Sequence, residues 1–463
     1  MMHPIFVRKV FDPLVDVISG RYTCKAYSEL METQWLSEDE LVAYQEKKIR
    51  QLIRHAYECV PYYRNLFKEN AFTPSDIKSL SDLEKIPISD KNTIKNSNGY
   101  PDCMFSQSHS GRRVTFGRTG GTTGEPLILA KDVNTRSYTW AAYWRWLSWM
   151  GLNRGDKSAT IWGQPVIHRS FLQRYESRFL EVLGNNFSLN AFDLSPKNLQ
   201  DFVVQLQQKK PKHLHGYASS IFAFAQYILE NDVELPDMNI STTAEKLDDY
   251  QRSVIEQAFG ERIFDQYGCG ECGSLAFECE AHQGLHITSE HAIVECVRNS
   301  NDIHPNHNVG EAIITDLDNY YMPIIRYKNG DLVELNDDVC SCGRNHPLIK
   351  NVGGRISDIL YTAQKHPVHQ DYFTHLLNES GYYNKYNIKK YQVIQESFDN
   401  IIWKIVCEDI PEKEIEKIIR RVKEGFDGTY VNIQFVDDIP NEPSGKYRYV
   451  KSNIGQKYGP NVR

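Results

Sequence analysis

Between Ser158 and Leu335, short β-branched or apolar runs (Ala159 to Ile161, His213 to His215, Ile313 to Thr315) alternate with longer helical stretches such as Ser219 to Leu229 and Tyr250 to Phe259. Strands joined by helix-length connections pair in parallel and bury helices on their faces, so the alternation predicts α/β layering. After Arg355 the pattern changes. Tyr391 to Gln395 and Ile401 to Cys407 read as paired strands, and Ile415, Ile418, Ile419, Val422 and Phe426 share one helical face. Val431, Ile433 and Phe435 then alternate as a strand. This ββαβ unit of roughly 100 residues is large enough to be a separate domain. The boundary falls at Gly353-Gly354-Arg355, where two glycines permit backbone excursions, dividing the 463 residues into 1–354 and 355–463.

The N-terminal region is helical. Ser37 and Glu40 form a capping box, and Leu41, Ile49, Leu52 and Ile53 recur at helical spacing, predicting a helix to about Ala56 that Pro61 ends. Thr73-Pro74-Ser75-Asp76 and Ile86-Pro87 break the next stretch into short helix and turn pieces. Ile5 to Ile18 is apolar but interrupted by Arg8, Lys9, Asp12, Pro13 and Asp16. It is too short and too charged to span a bilayer or act as a signal peptide, though it can graze a surface. The chain is expected to be cytoplasmic.

A net charge of −7 with no basic run gives nucleic acid no electrostatic foothold. Ten cysteines are too few for a disulfide scaffold of this length. Cys24, Cys59, Cys103, Cys296 and Cys407 stand singly and are expected to be small buried apolar residues. Cys279, His282, His286 and the Cys340-Ser341-Cys342 pair instead group thiols with imidazoles, ligands suited to tetrahedral zinc. Cys269-x-x-Cys272 lacks a thioredoxin-like context and is expected to pack.

Thr119-Gly120-Gly121-Thr122-Thr123-Gly124-Glu125-Pro126 packs three glycines and three threonines ahead of the apolar Leu127 to Ala130. Glycines let backbone N–H groups approach phosphate oxygens, and the hydroxyls add donors. No Gly-Lys-Ser/Thr follows, so it is not a Walker loop, and composition alone leaves a Gly-rich hairpin turn equally open.

That octapeptide resembles the phosphate-binding signature of the adenylate-forming superfamily of acyl-CoA ligases, luciferases and peptide-synthetase adenylation domains. Further motifs of the superfamily come after it in order. Tyr267-Gly268-Cys269-Gly270-Glu271 resembles aromatic-Gly-x-Thr-Glu, with Gly270 in place of Thr, and Arg326-Tyr327-Lys328-Asn329-Gly330-Asp331 resembles Tyr-Arg-Thr-Gly-Asp. Gly354-Arg355-Ile356-Ser357-Asp358 resembles the hinge, and Pro443-Ser444-Gly445-Lys446 the C-terminal lysine loop. Gln34-Trp35-Leu36-Ser37, His55-Ala56-Tyr57 and Val60-Pro61-Tyr62-Tyr63-Arg64 are similar to the N-terminal region of phenylacetate-CoA ligases and their capsular-polysaccharide biosynthesis relatives.

The resemblance implies a large adenylate-forming N-terminal domain of layered sheets and helices and a small, mobile α+β C-terminal lid. It implies ATP as substrate, held by residues 119–124, by Tyr267 and Gly268, and by Ala244-Glu245-Lys246 at the adenine. Glu271 would carry Mg²⁺, a carboxylate role, and Asp331 would accept both ribose hydroxyls. Arg355 would brace ribose or phosphate, and Asp358 would be the pivot. Lys446, with Thr119 and Glu271, would complete the catalytic set, its ammonium reaching the charge that develops between acyl and phosphate groups. For the structural zinc the resemblance favours Cys279, His286, Cys340 and Cys342, with His282 competing for the histidine place.

The expected activity is conversion of a small carboxylic acid to acyl-AMP with release of pyrophosphate, followed by transfer to CoA. One alternative passes the acyl or amino-acid group to an amine such as an amino sugar of a surface polysaccharide, and another is a non-catalytic nucleotide- and zinc-binding scaffold. Trp162, His168 and the aromatic Tyr138 to Trp149 segment are candidates for an acyl pocket, although aromatics at helical spacing more often build core.

Overall fold

The structure is a computed structural model. It describes residues 3–108, 113–118, 127–163, 185–191, 194–260, 263–298, 309–336, 338–355, 360–364, 367–368, 372–373, 376–377, 382–407, 409–426, 429–441 and 447–454. Residues 119–126, His168, Asp358 and Lys446 lie outside that set.

A 12-stranded sheet forms the body of the described residues. One half is parallel, with Asn186–Asn190, Ser158–Trp162, His213–Tyr217, Asn239–Thr243 and Ile263–Cys269 as successive neighbours. The helices Pro196–Lys209, Ala218–Glu230 and Asp249–Phe259 connect these strands and bury Phe202, Phe224 and Ile255 against them. The other half is antiparallel, running from Gly273–Glu278 through Leu285–Ile287, Leu348–Arg355, Tyr327–Asn336 and Val309–Asp316 to Ala292–Val297. Layering is therefore as expected, and its functional consequence is geometric. In a parallel sheet the carboxyl ends of all the strands lie on one edge, where ligands bind.

Ser37 caps Glu38–Cys59 with the anticipated box, an arrangement that stabilises a helix by about 1 kcal/mol. The helix runs three residues past Ala56. Pro61 both ends it and opens Pro61–Glu69, because proline fits the first turn of a helix, where its missing N–H has no partner to lose. Val133–Trp149 turns Tyr138, Trp146 and Trp149 into a core shared with Phe277, while Trp140 stays exposed, so most of the aromatic segment is packing. Of the five single cysteines, Cys103 is buried and the other four are half-buried at element edges.

The C-terminal domain has its own core of Leu360, Tyr391, Trp403, Ile418, Val422 and Phe426. Lys390–Ser397 and Asn400–Val406 pair antiparallel, Tyr430–Phe435 joins in parallel, and Glu412–Gly425 packs on them. A fourth strand, Val450–Ser452, adds to Lys390–Ser397 beyond the expected ββαβ unit. Gly353 and Gly354 are strand residues at the end of Leu348–Arg355.

Candidate active site and metal centre

Asn329, Gly330 and Asp331 form a bulge within the strand Tyr327–Asn336, where the pairing with Val309–Asp316 shifts register. Gly330 has φ +84°, a left-handed value that a side chain disfavours, and the Asn329 Oδ1 accepts the Asp331 N–H at 3.0 Å. The Asp331 Oδ2 then accepts from the Asn329 amide at 2.6 Å and from the Tyr267 hydroxyl at 2.8 Å. The Asn329 amide also reaches the Tyr267 oxygen at 2.8 Å, closing a triangle. Burial first, then the Asp331 charge, raise the Tyr267 phenol well above its usual range, so it stays a donor. Sequence reading singled out Tyr267 and Asp331. It missed Asn329 as the residue orienting both, although an Asn two positions before an Asp with glycine between signals an Asx turn.

Tyr267 lies on the strand Ile263–Cys269, and Glu271 lies in the turn that joins it to Gly273–Glu278. Glu271 is 9% exposed, and its Oε1 accepts the Tyr327 hydroxyl at 3.3 Å. The hairpin strands Thr115–Arg118 and Ile128–Lys131, which carry residues 119–126 between them, pack beside this turn. A Cβ on Gly270 would stand 3.7 Å from the Leu129 Cδ1. The roots of the Gly/Thr loop and the Glu271 turn are thus neighbours.

One strand over, Gln266 donates to the Thr243 hydroxyl at 2.6 Å, which sets Ala244-Glu245-Lys246 beside Tyr267 at the carboxyl edge. Ala244 has φ +68°, an unusual value for a non-glycine residue and a form of strain that clusters at functional sites. Glu245 uses both oxygens. Oε2 accepts the Ser219 N–H at 2.8 Å in the first turn of Ala218–Glu230, and Oε1 accepts the Tyr447 N–H of the C-terminal domain at 2.6 Å. Gln251 donates to the Tyr449 hydroxyl at 2.5 Å across the same junction. Arg355 faces Asp331 in strand register. Trp162 stacks near His215, 5.7 Å between ring centres, at the carboxyl end of its own strand.

Away from this edge, Cys279, His286, Cys340 and Cys342 converge with their ligand atoms all within 4.8 Å of one another. Cys279 Sγ lies 3.6 Å from Cys340 Sγ, and Cys342 Sγ lies 3.3 Å from His286 Nε2. A tetrahedral shell with bonds of about 2.3 Å to sulfur and 2.0–2.1 Å to nitrogen separates its ligand atoms by roughly 3.4–3.8 Å, so the geometry fits. Burial takes the His286 imidazole down to about 3 and raises the Cys279 thiol. A neutral imidazole is ready to bind metal, whereas buried thiolates crowded together need a cation to offset their charge. His282 points elsewhere, its Nδ1 3.0 Å from Glu278 Oε1.

His291, Asp316 and Asp318 form a second compact group, but its atoms are already engaged. His291 Nδ1 faces Asp318 at 2.8 Å and Nε2 donates to the Cys272 carbonyl at 3.1 Å. Asp316 accepts from Thr135 at 2.7 Å, and Lys48 reaches Asp318 at 2.6 Å. This is a satisfied ion network.

Comparison with known proteins gives a consistent picture. Residues 360–453 match the family model described as the CapK C-terminal domain. Protein CapK of Staphylococcus aureus is 26% identical over 460 residues, covering 96% of this chain and 97% of the relative. A phenylacetate-coenzyme A ligase of Pseudomonas putida is 28% identical over 343 residues, covering 73% and 75%. Among solved structures, 2-hydroxyisobutyryl-CoA ligase in the postadenylation state superposes with a TM-score of 0.69 at 18% identity, covering 91% of this chain and 92% of that one. The fold is that of the adenylate-forming ligases, with homologues in CapK and the phenylacetate-CoA ligases.

Proposed function

We propose that this homologue of CapK and of the phenylacetate-CoA ligases, built on the adenylate-forming ligase fold, activates a carboxylic acid with ATP to give acyl-AMP and pyrophosphate, then transfers the acyl group to CoA. The observation that carries the proposal is the Glu245–Tyr447 hydrogen bond. It fixes Tyr447, the residue that follows Lys446 in sequence, at the carboxyl edge of the sheet beside Ala244-Glu245-Lys246 and Tyr267.

The chemistry asks mainly for positioning and charge neutralisation. Asp331, oriented by Tyr267 and Asn329, is the acceptor for the ribose hydroxyls, and Arg355 braces from the facing strand. Residues 119–124 cradle phosphate with backbone N–H groups and threonine hydroxyls, Thr119 among them. Glu271 would hold Mg²⁺, which when bound neutralises phosphate charge. Lys446 contributes an ammonium to the carboxylate and the α-phosphate as the new bond forms. For the second half-reaction, residues 355–463 swing as a lid about Asp358 to admit the acceptor.

Cys279, His286, Cys340 and Cys342 would hold zinc. Four protein ligands close the shell, which makes the metal structural. We also place the protein in the cytoplasm, where CoA and ATP are available.

The second reading, transfer to an amine such as an amino sugar, is favoured by the near full-length similarity to CapK and by the match of the C-terminal domain to the CapK model. Incubation with ATP, Mg²⁺ and a panel of acids, with CoA or amino sugars supplied separately, tests both by mass spectrometry. A thioester supports the first reading and an amide formed without CoA supports the second. AMP formation that depends on no acid contradicts both.

A further inference from the structure

Residues 4–19 form one helical run, Pro4–Phe6, a π-turn Val7–Phe11 and Asp12–Ser19, whose polarity is the reverse of a soluble surface helix. The outward stripe is apolar: Ile5, Phe6, Val10, Leu14, Val17 and Ile18 are 54, 41, 48, 52, 75 and 72% exposed. The inward face carries the acids. Asp12 is 4% exposed and accepts from Arg154 at 3.1 Å, and Asp16 is 7% exposed and accepts the Cys24 N–H at 2.8 Å.

The helix has a shaped seat. Val7 is fully buried over Gly155, where a Cβ would come within 2.9 Å of both the Val7 Cβ and the Pro4 carbonyl oxygen. Arg8 ties to Asn153 at 3.1 Å. A helix fastened by its polar side leaves its apolar side for something else to cover, since contiguous exposed apolar patches mark interaction sites.

Charge indicates what that cover is. The exposed charges on this run are Arg8 and Lys9, both basic, while both acids are turned inward. The protein as a whole carries −7, which disfavours an anionic surface, so the basic pair on this run supplies a local attraction against the overall charge. Apolar side chains flanked by lysine and arginine suit the boundary between headgroups and acyl chains of an anionic bilayer. No helix among the described residues is long and apolar enough to cross a membrane. A second copy fits less well. Six side chains fall short of the roughly 20–30 residues a side of a stable interface, and two-fold pairing would bring like charges together.

We propose that residues 4–19 dock the protein on the surface of a bilayer containing anionic phospholipid, with the six apolar side chains inserted and Arg8 and Lys9 at the phosphates. The proposal is independent of the reaction catalysed. The test is co-sedimentation of the full chain with phosphatidylcholine vesicles, with or without phosphatidylglycerol, at low and high salt. We expect at least a fivefold larger bound fraction on the anionic vesicles at low salt. The double variant Val17→Glu/Ile18→Glu should lose binding, and Arg8→Glu/Lys9→Glu should lose the anionic preference. Both variants alter exposed positions, and unchanged far-UV circular dichroism and melting verify that they fold. Equal sedimentation on both vesicle types, no sedimentation, or binding indifferent to Val17→Glu/Ile18→Glu overturns the proposal. So does a dimer in solution that the same variant dissociates, which would assign the stripe to a second copy.

Discussion

The Glu245 carboxylate accepts the Tyr447 backbone N–H at 2.6 Å while its other oxygen accepts the Ser219 N–H at 2.8 Å. One side chain therefore ties the chain beside Lys446 to the first turn of a helix in the parallel half of the sheet. A hydrogen bond to a charged group contributes about 1.5–3 kcal/mol. Glu245→Ala should slow acyl-AMP formation by roughly 10–100-fold. Transfer from preformed acyl-AMP should stay within about twofold, because the proposed second step moves residues 355–463 away from this position. Equal loss in both half-reactions would reduce Glu245 to a helix cap.

Lys446→Ala should remove more than about 100-fold of the adenylation rate, the usual consequence of losing a charge aimed at the transition state. Its melting temperature should not change, as expected of a residue that serves the reaction rather than the fold. Single-turnover measurement of AMP release checks the first statement and calorimetry the second.

Asp331→Asn keeps the shape but removes the charge and replaces one of two acceptor oxygens with a donor, so KM for ATP should rise by about 10–100-fold with a smaller change in kcat. Asn329→Ala acts one step removed, through the orientation of Asp331, and should raise the same KM by only several-fold. An Asn329→Ala effect confined to kcat would contradict the positioning role.

Metal analysis of the purified protein should find one zinc per chain. Cys340→Ser should lose it and lower stability by several kcal/mol, because closed tetrahedral sites stabilise the fold they tie together. Full zinc content in that variant would contradict the ligand set.

Arg145 and Glu290 form a buried pair at 2.7 Å. Burial, the largest single influence, would raise Glu290, but the Arg145 charge, His346 and the Thr33 hydroxyl together take it down to about 2, below the ordinary glutamate value of 4.5. A depressed carboxyl contributes stability that is present above the unfolded pKa and lost as pH falls toward the folded one, here from about 4.5 to 2. The contribution is on the order of 3 kcal/mol. Glu290→Gln should flatten the acid limb of stability measured by urea denaturation between about pH 5 and 3. An unchanged slope would mean that other groups set it.

Local rules carried far along this chain. The Ser37 box, the Pro61 break and the Ile415-to-Phe426 stripe are short-range signals, and each element formed where its signal lay. Motif order identified Tyr267, Glu271 and Asp331, and the structure brings them to one edge. Contacts between segments far apart in sequence were not legible. Glu245 and Tyr447 are 202 positions apart, and neither residue type announces a partner. The Val450–Ser452 strand is three residues long and forms only by pairing in parallel with Lys390–Ser397. What separates His286 from His282 is tertiary placement, since spacing from Cys279 suits either.

Exchange of labelled pyrophosphate into ATP, run across a panel of carboxylic acids, is the most direct measurement of whether this edge makes an acyl-adenylate. The account predicts exchange that appears only with a subset of acids, requires Mg²⁺ and disappears in Lys446→Ala. Exchange with no acid present, or undiminished exchange in that variant, would contradict it.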